Sequence, residues 1–114
     1  MTVAPPVIEK LREIVGQQRV LTDETSFQQY GVDRTTLWTP SPGVVVLPGS
    51  TEEVQAIIQL ANAERIAVVP SGGRTGLSGG AVALNGEIVL VLDRMNEVVA
   101  FNAIDRSVTV QAGM

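Results

Sequence analysis

The sequence contains no cysteine and no histidine. The first absence excludes disulfides, thiolate chemistry and cysteine-based metal sites from this chain. The second removes the side chain most often used as a general base, a metal ligand or the partner of a serine nucleophile. Aromatic residues are scarce, at 4%, with one Trp and one Tyr. Positive charge is the minority: eight Lys+Arg against twelve Asp+Glu leave a net charge of −4. A chain of that sign without a basic run is not built to neutralise nucleic-acid phosphates. No apolar stretch approaches the roughly 18 residues that span a bilayer. Residues 1–6 lack the basic start and long apolar core of a signal peptide. The expectation is a cytoplasmic chain with no transmembrane segment, no nucleic-acid partner, no metal site and no catalytic residues of its own. Any chemistry has to come from a bound cofactor or from residues outside this sequence.

What is present is a globular composition, 45% hydrophobic over 114 residues, which is one domain or part of one. Val7, Ile8, Leu11, Ile14 and Val15 recur at helical spacing and predict a helix over residues 6–15, started by Pro5-Pro6 and stopped by Gly16. Arg19-Val20-Leu21 reads as a short strand. Thr22 then caps a helix of one or two turns carrying Phe27 and Tyr30 inward. Residues 31–43 read as an extended connection.

Val44-Val45-Val46-Leu47 is a β-branched run ended by Pro48-Gly49. Ser50 and Glu53 have the spacing of a capping box. Behind them Val54, Ile57, Ile58 and Ala61 share one helix face, with Leu60 beside them. Ile66-Ala67-Val68-Val69 and Glu87–Leu92 are further apolar runs. Continuous rather than alternating runs suit strands buried on both faces of a parallel sheet. Residues 97–101 and 107–112 then read as two antiparallel strands. The fold class expected is α/β: a small three-stranded parallel sheet with flanking helices, followed by an antiparallel hairpin that begins a next subdomain.

Five of the 11 glycines fall within nine residues: Gly72, Gly73, Gly76, Gly79 and Gly80. They follow a buried strand, where open α/β sheets bind their ligands. Glycine lets a ligand approach the backbone closely, and successive N–H groups can converge on an anion. Ser71, Thr75 and Ser78 add hydroxyls, and Arg74 adds a forked cation suited to phosphate. The pattern asks for a phosphate or pyrophosphate. It is not a P-loop, since no Gly-Lys-Ser/Thr follows, and it is not the dinucleotide G-x-G-x-x-G. A flexible surface loop, or a tight backbone crossing with no ligand, is the alternative reading of the same glycines.

Residues Pro70 to Val82, with Val45-Val46-Leu47-Pro48 and the Ser50–Glu53 cap, resemble the first FAD-binding segment of the PCMH-type flavoproteins, the vanillyl-alcohol oxidase superfamily. Thr75-Gly76-Leu77-Ser78-Gly79-Gly80-Ala81 resembles the branch of FAD-linked D-2-hydroxyacid dehydrogenases, which holds D-lactate dehydrogenases and the glycolate oxidase FAD-binding subunit. Val108 to Gly113 is similar to the next strand and turn of that family. The resemblance implies that Ser71, Gly72, Gly73, Arg74, Thr75, Gly76, Leu77, Ser78 and Gly79 hold the FAD pyrophosphate. Some relatives tether FAD through a His in this loop; Arg74 stands in that place here, which implies non-covalent FAD.

The same resemblance implies a helical lead-in over residues 1–36 and the first, truncated part of the FAD-binding domain over residues 37–114. The flavin-ring contacts, the substrate groups for a D-2-hydroxy acid and the catalytic residues would then lie in a longer parent, which a peripheral membrane association would also suit. An exposed sheet edge would let the shorter piece self-associate. A non-enzymatic α/β binding or interaction module with a glycine-rich anion loop is the competing reading. Asp33 with Arg34 reads as a surface ion pair, against a place near an adenosine or substrate; Asp93 with Arg94 reads as a turn ion pair; Trp38 reads as packing over the sheet edge, against stacking on an adenine.

Overall fold

The structure is a computed structural model that describes residues 3–114. Helix α1 spans Pro5–Val15, and a 3-10 turn at Gln17–Arg19 leads into strand β1, Val20–Leu21. Helix α2 is Glu24–Tyr30, strand β2 Val44–Val46 and helix α3 Thr51–Glu64. Strands β3, Val68–Ser71, and β4, Ile88–Val91, follow; β5, Val98–Asn102, and β6, Ser107–Val110, form a hairpin.

The main sheet has the order β1-β2-β4-β3. β2 and β3 both pair parallel to β4, with Val45 opposite Val89 and Ser71 opposite Val91. The three parallel strands are those expected. β1 adds a fourth, antiparallel one, with Val20 opposite Val46. The continuous apolar runs of β2 and β4 are explained by cover on both faces; β3, expected to be buried as well, is the edge strand, with Val68 and Val69 half-buried and Pro70 exposed. Val44, Val46, Ile88 and Leu90 pack with Leu11, Val7 and Ile57 of α1 and α3. Val45, Leu47, Val89 and Val91 point the other way, toward Ala83, Phe27 and Tyr30. Phe27 and Tyr30 therefore face inward as expected, while Ile58 is left exposed on α3.

Two caps differ in detail from the sequence reading. The N-cap of α2 is Asp23, one residue after Thr22: its carboxylate accepts from the Ser26 N–H at 3.0 Å and the Ser26 hydroxyl at 2.7 Å. A carboxylate accepts both bonds and also meets the positive helix end, which a threonine hydroxyl does not. Those bonds, the hydroxyl's foremost, hold the Asp23 carboxyl below its ordinary value. In α3 the Ser50 hydroxyl accepts from the Glu53 N–H at 3.2 Å, but Glu53 reaches back to the Gly49 N–H at 2.7 Å, one residue further than a capping box requires. The hairpin β5–β6 lies outside the main sheet, and all its residues are exposed.

Candidate functional site

Because β2, β3 and β4 are parallel, their carboxyl ends share one edge of the sheet. That edge gathers the Pro48–Ser50 turn into α3, the glycine loop after β3, and residues 92–95 after β4. Arg94 crosses the edge: its guanidinium donates to the Leu47 carbonyl at 2.7 Å and lies 3.9 Å from Glu53. A Cβ at Gly49 would meet that guanidinium at 2.8 Å. Arg94 therefore does not pair with Asp93.

The glycine loop is fastened at one flank. The Gly76 carbonyl accepts from the Arg34 N–H at 3.0 Å, and the Gly31 carbonyl accepts from the Ala83 N–H at 3.1 Å. Asp33 supplies the third tie. It is 8% exposed; its carboxylate accepts from the Thr35 N–H at 2.8 Å and, across 46 residues, from the Gly79 N–H at 2.9 Å. Burial opposes its ionisation, but the donors of Thr35 and Gly79 outweigh that and leave the carboxyl below its ordinary value. The surface ion pair with Arg34 is thus replaced by a buried carboxylate held by backbone N–H groups.

The glycines divide into two kinds. Gly79 has φ +83°, and a Cβ there would come within 3.1 Å of the Trp38 ring. Trp38 packs on the loop rather than on the sheet edge. Gly72, Gly76 and Gly80 have neither a positive φ nor any heavy atom within 4 Å of an added Cβ, and Gly73 meets only Thr75, at 3.8 Å. The fold makes no demand for glycine at these four positions. From Gly73 through Ser78 the backbone N–H groups find no acceptor among the described residues. A run of donors left open in this way is available to an anion.

The polar side chains of the loop are placed less openly. Ser71 is fully buried at the end of β3. Arg74 adopts a left-handed backbone, φ 57°. Its guanidinium donates to both oxygens of Asp93, at 2.9 and 3.3 Å, and to the Ser71 hydroxyl at 3.0 Å. The same group lies 5.1 Å from the centre of the Tyr30 ring, a cation–π distance. Thr75, Gly76, Leu77 and Ser78 are exposed. Asp33 and Trp38 are set aside in the sequence reading as an ion pair and as packing over the sheet edge, and Tyr30 and Asp93 are not marked there as site residues. Only Asp93 carried a usable sign there, an acid just past a buried parallel strand. Among the described residues no cluster of acids has the arrangement of a metal site, and no helix is long and apolar enough to cross a membrane.

Residues 42–114 match the model of the FAD binding domain family. The chain is 57% identical over 109 residues to a D-2-hydroxyglutarate dehydrogenase from Xanthomonas citri pv. viticola, covering 96% of this chain and 23% of the relative. It is 36% identical to a D-lactate dehydrogenase from Anaerostipes hadrus, covering 98% of this chain and 24% of the relative. The chain thus spans about a quarter of the length of the curated relatives it matches. The solved 4-ethylphenol oxidase from Gulosibacter chungangensis superposes with a TM-score of 0.81 at 32% identity, over 96% of this chain and 22% of that one. With more than half its residues inside the matching family, and with a sheet and glycine loop of this form, the chain belongs to the FAD binding domain family.

Proposed function

We propose that the protein carrying this chain is a flavin-dependent oxidoreductase that oxidises a D-2-hydroxy acid, and that this chain holds the pyrophosphate of non-covalent FAD. The observation that carries the reading is the glycine loop. Four of its glycines have room for a side chain within the fold, and a ligand approaching the backbone would account for glycine there. The N–H groups from Gly73 through Ser78, unpaired among the described residues, suit the pyrophosphate oxygens. The stretch from Ser71 to Gly79 is the proposed cofactor site, with Thr75 and Ser78 as exposed hydroxyl donors. Bound FAD supplies the acceptor for the substrate's hydride. The residues of this chain hold the anion, present N–H groups to it and keep side chains out of its way.

The D-2-hydroxy acid class is supported by the names of the Xanthomonas and Anaerostipes relatives. D-2-hydroxyglutarate is the first substrate to assay. The absence of His and Cys supports non-covalent attachment as far as this chain's own residues are concerned. Residues 1–36 as a lead-in to a FAD-binding unit over residues 37–114 agree with a family match that starts at residue 42. A cytoplasmic location rests on the apolar pattern of the sequence. Self-association rests on the open hairpin and on the unpaired outer edge of β3.

The full-length gene product is expected to purify yellow and to release its flavin on acid precipitation. Gly73→Val and Gly76→Val are expected to abolish FAD retention while leaving the circular dichroism unchanged. A colourless protein that gains no flavin absorbance with added FAD, or variants that retain FAD, would refute the reading.

A further inference from the structure

Arg74 is the one cation in the glycine loop, and its chemistry invites the role of a phosphate ligand. The geometry points elsewhere. Its fork is already filled: both Asp93 oxygens and the Ser71 hydroxyl accept from it, and its face lies on Tyr30. These partners come from three separate places: β3, the end of β4 and α2. Only 21% of the Arg74 side chain is exposed. Its backbone is left-handed, a conformation glycine takes freely and arginine takes at a cost. In a loop with five glycines, an arginine at such a position is held there by what its side chain does.

We propose that Arg74 is a positioning residue, a strut that fixes the glycine loop against β4 and α2, and that the pyrophosphate is held by neutral backbone N–H groups rather than by the guanidinium. This rests on the FAD-binding reading above. Local charge supports it. Asp93 neutralises Arg74, and the nearby buried Asp33 is held by N–H groups rather than by a cation. The loop therefore offers no surplus positive charge, and its hold on an anion comes from dipoles set in fixed directions. Fixing those directions is what a planar bidentate fork does and a point charge does not.

The two roles give opposite results at Asp93. If the guanidinium were a phosphate ligand, Asp93→Asn would free it and leave FAD binding equal or tighter. If it is a strut, Asp93→Asn loosens the loop and weakens binding about tenfold, the scale of a charge-assisted hydrogen bond lost. Arg74→Lys separates them again. Lysine serves well as a phosphate ligand but cannot reproduce the fork, so the strut predicts no rescue.

The experiment is FAD titration of the full-length gene product and its variants by flavin absorbance, well below each variant's unfolding temperature. The expected result is that Asp93→Asn and Arg74→Lys each weaken binding about tenfold, and that combining Arg74→Gln with Asp93→Asn is no worse than either alone. Equal or tighter binding in Asp93→Asn, or full binding in Arg74→Lys, would overturn the strut while leaving the FAD reading intact. Failure of the unsubstituted protein to bind FAD would overturn both. If Asp93→Asn fails to fold, the Arg74→Lys titration decides by itself.

Discussion

The main sheet and the hairpin are made of similar residues and end in opposite surroundings. β2 and β4 read Val-Val-Val and Ile-Val-Leu-Val, and all of them are buried. β5 opens Val-Val-Ala-Phe, and β6 reads Ser-Val-Thr-Val, yet Phe101 is 73% and Val108 55% exposed. Apolar content is not what separates them. α1 and α3 cover one face of the sheet and α2 with Ala83 the other, whereas among the described residues no layer packs on the hairpin. A two-stranded hairpin is marginal alone, and this one is fastened at its base. Gln111 donates to the Glu97 carbonyl and Gly113 to the Met95 carbonyl, each at 2.9 Å. Gly113 also runs so close to Leu92 that a Cβ would fall on its carbonyl. Burial follows from the layers a strand is given: the glycine loop leaves β3, the half-covered edge strand beside the fully buried β4.

That contrast can be broken by substitution. Leu11→Ala, which opens a cavity under β2 and β4, is expected to cost about 3 kcal/mol and to lower the unfolding temperature markedly. A loss below about 1 kcal/mol would mean that α1 is not part of the same cooperative core. Gly79→Ala comes next, at about 2 kcal/mol, from the left-handed backbone together with the collision with Trp38. The open position Gly76→Ala should stay within about 0.5 kcal/mol in the same thermal melt. Equal losses at the two glycines would erase the distinction between the fastened and the open part of the loop. The smallest effect belongs to the hairpin. Phe101→Ser with Ile104→Ser should shift the stability of the 114-residue chain by less than about 0.5 kcal/mol. The pair should also abolish any concentration-dependent association seen by light scattering. A larger loss of stability would show that the hairpin face is covered.

Local features were readable from the sequence. The Ser50–Glu53 cap spans three residues, the buried strands are continuous apolar runs, and the glycines cluster, so a short window contains all that is needed. The ties that shape the loop are not local. Asp33 reaches Gly79 across 46 residues and Arg74 reaches Asp93 across 19; the second pair meets because parallel strands β3 and β4 bring their ends together, the first because the connection after α2 runs beside the loop. From the sequence each acid looked like the partner of the arginine beside it, Arg34 or Arg94. Adjacent side chains on an extended chain diverge, and the fold gave both acids other donors. Ile58 shares its helix face with buried residues by spacing alone; how far the neighbouring layer extends decides its exposure. The hairpin's lack of cover was equally hidden, because alternation specifies two faces without saying what meets either.

Trp38 gives the molecule a built-in optical gauge. It is the only indole in the chain, and it lies against Gly79 of the loop. Indole emission overlaps flavin absorption, so excitation energy would pass from this ring to a flavin seated nearby. Its fluorescence would then dim as the cofactor arrives and recover as it leaves, without any attached dye. Within this chain the quenching of that one indole would report the cofactor's arrival at the loop itself.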